Sequence, residues 1–126
     1  MNKVLVLLAA VASFATVGLS GSKTALAIPP FYKEFEAKYV KPGEPLEAEV
    51  ARVKKCNVCH KGTDKKTRNA YGEALAVLLD KKADAKDTAK IQKSLDEVAA
   101  QNVKADDPSS PTFGDLLKEG KLPSEE

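Results

Sequence analysis

The chain is poor in the residues that most often carry chemistry. Its 126 residues include no tryptophan, one histidine, two cysteines and one methionine, and that methionine is residue 1. A single histidine excludes a histidine pair within the chain. Counted together, the cysteines and the histidine offer three ligands, one short of the four that close a structural zinc site. The two cysteines stand three apart, so a disulfide between them would close a very small loop and restrain little of the unfolded chain. Neither sign of charge is in large excess: 20 Lys and Arg face 18 Asp and Glu, which argues against a strongly basic nucleic-acid binder. Alternating apolar and polar stretches are missing, as are internal repeats and low-complexity segments. No strand candidate arises, and the chain reads as all-α.

One long apolar run is present, at the start. Met1-Asn2-Lys3 is a short positive opening, Val4 to Leu19 are mostly apolar, and Ala25-Leu26-Ala27 is an A-x-A cleavage signature. The run of sixteen residues, diluted by Ser13, Thr16 and Gly18, is shorter than the roughly 20 needed to span a bilayer. Residues 1–27 therefore read as a secretory signal peptide, with a single domain at 28–126 and no transmembrane span after cleavage. An uncleaved anchor is the alternative. Without Lys3 and Lys23 the mature chain has 18 bases against 18 acids, so its charge is near zero. Leu, Ile, Val and Phe number 20 of its 99 residues, close to the level at which chains stop burying enough to fold. The expectation is that a buried prosthetic group completes the core and that the polypeptide without it is largely disordered.

That group is suggested by the place where the scarce residues gather. Cys56-Asn57-Val58-Cys59-His60 contains both cysteines and the only histidine, in the C-x-x-C-H pattern that attaches a c-type haem. On a helical turn Cys56 and Cys59 share one face, so each sulfur reaches one of the two vinyl groups of the same porphyrin. His60 follows as the proximal iron ligand. Three other readings compete with it. A redox dithiol goes with an alternating strand–helix pattern, which is missing here. Zinc lacks a second Cys/His cluster, and a disulfide restrains little. Covalent haem c accounts best for the window.

Around the motif the periodicity predicts four to five short helices. Phe31, Phe35 and Tyr39 recur every four residues from Phe31 to Val40, after Pro29-Pro30. A second helix is expected from Leu46 to about Lys55, running directly into Cys56. After a polar loop from Lys61 to Arg68, Asn69 is a plausible cap for a third helix with Tyr71, Leu75, Leu78 and Leu79 on one face. Gly72 inside it costs about 1 kcal/mol relative to alanine, which suggests close approach to a haem plane or another helix. A fourth helix, capped by Asp84 or Asp87, buries Ile91, Leu95 and Val98. Thr112 and Asp115 form a capping box for a last helix, Phe113 to Glu119, stopped by Gly120.

Helices around a single C-x-x-C-H, with a terminal helix after a proline-rich loop, resemble the small exported single-haem bacterial cytochromes c. The segment Arg68-Asn69-Ala70-Tyr71-Gly72 is also similar to a feature of some small exported proteins that carry C-x-x-C-H. The cytochrome resemblance implies a small helical bundle around a covalent haem, with thioethers at Cys56 and Cys59, proximal His60, and attachment in the periplasm or another extracytoplasmic compartment of a bacterium. It also implies a distal ligand just before the last helix, where the familiar carriers place methionine. This chain departs from them there. The loop from Pro108 to Phe113 offers only Ser109, Ser110 and Thr112, and Met1 leaves with the leader. A lysine, Tyr39, Tyr71, the new amino terminus at Ile28, water, a partner's side chain or nothing remain, so the distal ligand is unassigned.

Arg52, Lys54, Lys55, Lys61, Lys65, Lys66 and Arg68 surround the motif with Asp64 as the only acid among them, whereas the tail from Asp106 is acid-rich. This arrangement suits a redox partner with an acidic docking face; a solvated lysine surface is the plain alternative, and Arg68 could instead neutralise a haem propionate. The expected function is electron transfer through one haem. The alternative is an open-coordination haem that binds a small ligand, as a gas sensor or a weak peroxidase-like catalyst. A zinc or structural module without haem is the third option. With no second histidine and no nucleophile constellation, a redox carrier is favoured over an enzyme.

Overall fold

The computed structural model describes residues 29–62 and 66–123. The expected signal peptide, the expected new terminus Ile28, Asp64, Lys65 and the acidic end Glu125-Glu126 lie outside the described residues. The fold is a small all-α domain of five helices: α1 Pro30–Tyr39, α2 Pro45–Val53, α3 Ala70–Leu78, α4 Thr88–Ala99 and α5 Phe113–Lys118. A 3₁₀ turn, Lys55–Val58, lies between α2 and α3. Among the described residues there is no sheet, and pairing of extended chain is limited to isolated bridges, His60 with Arg68 and Asn102 with Thr112. No helix among the described residues is long and apolar enough to cross a membrane.

The helix starts follow local chemistry. Proline opens α1 and α2, where a missing N–H costs nothing. Asn69 caps α3, its side-chain oxygen accepting from the Gly72 amide at 2.9 Å. Of the two aspartates expected to cap α4, Asp87 does so, accepting from the Lys90 amide at 2.9 Å. Asp84 works one turn earlier: only 7% exposed, its carboxylate accepts from the Asp80 amide and the Lys90 ammonium, each at 2.8 Å. The capping box of α5 is complete, Thr112 accepting from the Asp115 amide and Asp115 from the Thr112 amide, each at 3.1 Å.

Helix α4 is the central member, packing on α1, α3 and α5. Fourteen buried hydrophobic side chains form one cluster that draws on every helix, and Tyr32, Tyr71 and Leu122 join the aliphatic and phenylalanine positions in it. Tyr32 and Tyr71 add to this core apolar surface that the count of Leu, Ile, Val and Phe leaves out. On α1 the buried face is Tyr32 and Phe35, with Phe31 and Tyr39 half-buried at its flanks. Phe35 meets Tyr39 and Tyr71 at ring separations of 5.3 and 5.9 Å, and Tyr71 meets Phe113 edge-on at 5.4 Å. Such pairs add about 0.5–1.5 kcal/mol each beyond area burial.

The second helix departs from expectation. It stops at Val53, because Lys54 adopts φ 58°, the only positive φ at a non-glycine residue among the described residues. A side chain in that region breaks the α-helical path, so the C-N-V-C-H segment begins a separate turn instead of extending α2.

Candidate functional site

The motif is built on the 3₁₀ turn. Residues three apart eclipse one another in such a turn, which brings Cys56 and Cys59 to one side of it. The Cys59 and His60 amides both donate to the Cys56 carbonyl, at 3.3 and 3.1 Å. Val58, 0% exposed, anchors the turn in the core, while Cys56, Cys59 and His60 are half-buried at its edge. Both cysteines are free thiols. Burial, together with the charge of Cys56, pushes the Cys59 thiol up to about 12.

His60 is oriented from behind. Its Nδ1 lies 3.3 Å from the Thr67 carbonyl oxygen, and the same carbonyl accepts from the Lys61 amide at 3.0 Å. A neutral imidazole that donates from Nδ1 to this carbonyl has Nε2 left as its coordinating nitrogen, the arrangement common to metal-bound histidines. The bridge between His60 and Arg68 closes the intervening loop.

Helix α3 is locked to the turn at three points. The Asn69 amide donates to the Cys59 carbonyl at 3.0 Å. The Asn69 side-chain nitrogen donates to the Val58 carbonyl at 2.9 Å, while its oxygen caps α3. Asn69 is 1% exposed, so these bonds are made away from water. Gly72 completes the lock: a Cβ there would overlap the Cys59 carbonyl oxygen and come within 3.2 Å of Arg68 Cβ. The neighbour anticipated for Gly72 is thus neither a haem plane nor a helix but the backbone of the motif itself.

The two tyrosines open as iron ligands differ. The Tyr39 hydroxyl donates to the Leu95 carbonyl at 3.1 Å, and burial, with the charge of Asp96, pushes its phenol up to about 12. Tyr71 is 0% exposed, and its hydroxyl has no hydrogen-bond partner among the described residues. Burial dominates in holding that phenol well above its ordinary range, and the charges of Tyr39 and Cys59 act in the same direction. The hydroxyls before α5 are engaged locally: Ser109 donates to Asp107, Ser110 to the Lys104 carbonyl, and Thr112 is in its capping box.

Around the motif Lys54, Lys55, Lys61, Lys66 and Arg68 are exposed. Arg52 is paired with Glu49 at 2.6 Å, and the Lys55 ammonium lies 5.9 Å from the centre of the Tyr32 ring. Comparison with known protein families, curated proteins and solved structures finds no match to this chain.

The donor set fits a covalently attached haem. It offers two thiols on one side of a turn and an adjacent imidazole whose second nitrogen is already occupied by a carbonyl. It fits a zinc site less well, since no three His, Cys, Asp or Glu side chains among the described residues group as metal ligands.

Proposed function

We propose that this protein is an exported electron carrier, a small cytochrome c-like domain with one haem c joined by thioethers to Cys56 and Cys59 and ligated by His60. The observation that carries the reading is the turn itself: two free thiols on one side, with the Nδ1 of His60 against the Thr67 carbonyl. When bound, the haem supplies a reversible one-electron couple at iron. The chain's own residues hold and orient. Val58 anchors the turn, Asn69 and Gly72 fix it against α3, and the Thr67 carbonyl sets the tautomer and raises the basicity of the imidazole. Covalent attachment through Cys59, which packs against the buried cluster, would retain the cofactor beside that part of the core. The exposed bases beside the motif suit a redox partner with an acidic docking face, reached in the periplasm or another extracytoplasmic compartment of a bacterium.

A second reading, an open-coordination haem that binds a small ligand, is favoured by the lack of any methionine besides Met1 and of any histidine besides His60. The test is an optical spectrum of the protein purified from an exporting host. A haem band that survives acid–acetone extraction and disappears when Cys56 and Cys59 are both replaced by alanine is the expected result. Low-spin iron then favours the carrier and high-spin iron the ligand-binding reading. No haem band would overturn both.

A further inference from the structure

The unpartnered hydroxyl of Tyr71 calls for a physical account. An unmet buried donor is costly, and most buried hydroxyls in folded proteins are satisfied. Phenylalanine would keep the edge-on ring contacts with Phe35 and Phe113 without that cost. Tyr39, close by in the same aromatic group, shows the ordinary solution, since it donates to the Leu95 carbonyl. The position of Tyr71 is also set by the motif. It lies between Asn69 and Gly72, the two residues that lock α3 to Val58 and Cys59. Cys59 itself packs against the buried cluster to which Tyr71 belongs. A group joined to the Cys59 sulfur is therefore tethered beside this part of the core.

We propose that the Tyr71 hydroxyl is the internal hydrogen-bond donor to the haem group, satisfied by an acceptor oxygen that enters the core with that group. This rests on the haem reading above. Two sources share that acceptor chemistry: a carboxylate of the porphyrin, and an oxygen ligand on the face of the iron opposite His60. In either case the tyrosine is mismatched to the haem-free chain and matched to the loaded one, which ties stability to loading.

The test compares Tyr71→Phe in the haem-loaded chain and in the full-length Cys56→Ala/Cys59→Ala chain, with Tyr39→Phe as control. Tyr71→Phe should raise the thermal midpoint of the haem-free chain, by on the order of 4 °C for 1 kcal/mol in a domain of this size, and lower that of the loaded chain. Tyr39→Phe should lower both. In the loaded protein Tyr71→Phe should also lower the reduction potential if the acceptor is a porphyrin carboxylate, whose charge is then less neutralised, or change the spin-state bands if the acceptor is bound to iron. A Tyr71→Phe midpoint shift of the same sign in both chains would overturn the proposal, because it would mean that the partner is not the haem. If the haem-free chain does not melt cooperatively, the loaded protein decides: a shift in potential or spin state supports the proposal, and neither overturns it. Absence of haem from the wild-type protein overturns this proposal and the haem reading together, whereas bound haem with matching shifts overturns this one alone.

Discussion

Two loops of this molecule are built on one plan and end differently. The first leaves Cys59, closes with the His60–Arg68 bridge and enters α3 through the Asn69 cap, with Gly72 against the Cys59 carbonyl. The second leaves α4, closes with the Asn102–Thr112 bridge and enters α5 through the Thr112 cap, with Gly114 against the Ala99 carbonyl. Each places an aromatic residue in the first turn of the helix it starts, and these two, Tyr71 and Phe113, touch edge-on in the core. The second loop meets its polar needs internally. Asn102 donates to the Asp107 and Ser110 carbonyls, and Asp107 accepts from Ser109. At the first, the two cysteines stay unjoined and the tyrosine hydroxyl finds no such partner among the described residues. The scaffold is the same; what differs is whether it consumes its functional groups or presents them.

The sharpest way to break this comparison is at the glycines. Gly72→Ala should destabilise by about 3 kcal/mol, since the new methyl overlaps a carbonyl held in place by Asn69. Gly114→Ala places its methyl 2.9 Å from the Ala99 carbonyl oxygen. It should cost about 1 kcal/mol, because a milder clash is offset by the better helix propensity of alanine. Urea unfolding of the two variants measures the difference, and equal losses would show that the first loop is no more tightly locked than the second.

Next come the caps. Asn69→Ala removes a cap and leaves the buried Val58 carbonyl without its donor, a loss of about 2 kcal/mol. Thr112→Ala removes a cap alone and should cost about 1 kcal/mol. Asn69→Ser, which can keep the cap but cannot reach the carbonyl as an amide does, should fall between them in the same urea measurement.

Acid should produce the smallest effect and separate the loops. Asp107 is held below its ordinary pKa of 3.8 by the Ser109 side chain and amide, and Asp115 by the Thr112 side chain and amide. A carboxylate depressed in the folded state stabilises above its unfolded value, and that contribution is lost as pH falls through the folded one. Below about pH 4, amide exchange should accelerate at Phe113 and Asp115 before it does at Asn69 and Gly72. Simultaneous loss of protection would mean that the two loops open as one unit.

Much of this could be read along the chain. Thr112 and Asp115 announced their capping box, Asn69 its cap, and Cys56, Cys59 and His60 their pattern, because each depends on residues three or four positions apart. The same reasoning placed α2 directly against Cys56 and missed the break at Lys54, since local periodicity carries no information on where a chain must change direction to pack. It placed Phe31 on the buried stripe of α1, where packing prefers Tyr32.

By itself the sequence determined the helices, most of their caps and the pattern that gathers the scarce residues, all set by local hydrogen bonding and spacing. Tertiary structure decided the rest: that Asn69 serves Val58 as well as α3, that Gly72 yields its side-chain space to the Cys59 carbonyl, and that Tyr71 is buried with its hydroxyl unmatched. These facts depend on which backbone approaches which across eleven or more residues. Such approaches are settled by the packing of the whole core, and no short window of sequence contains them.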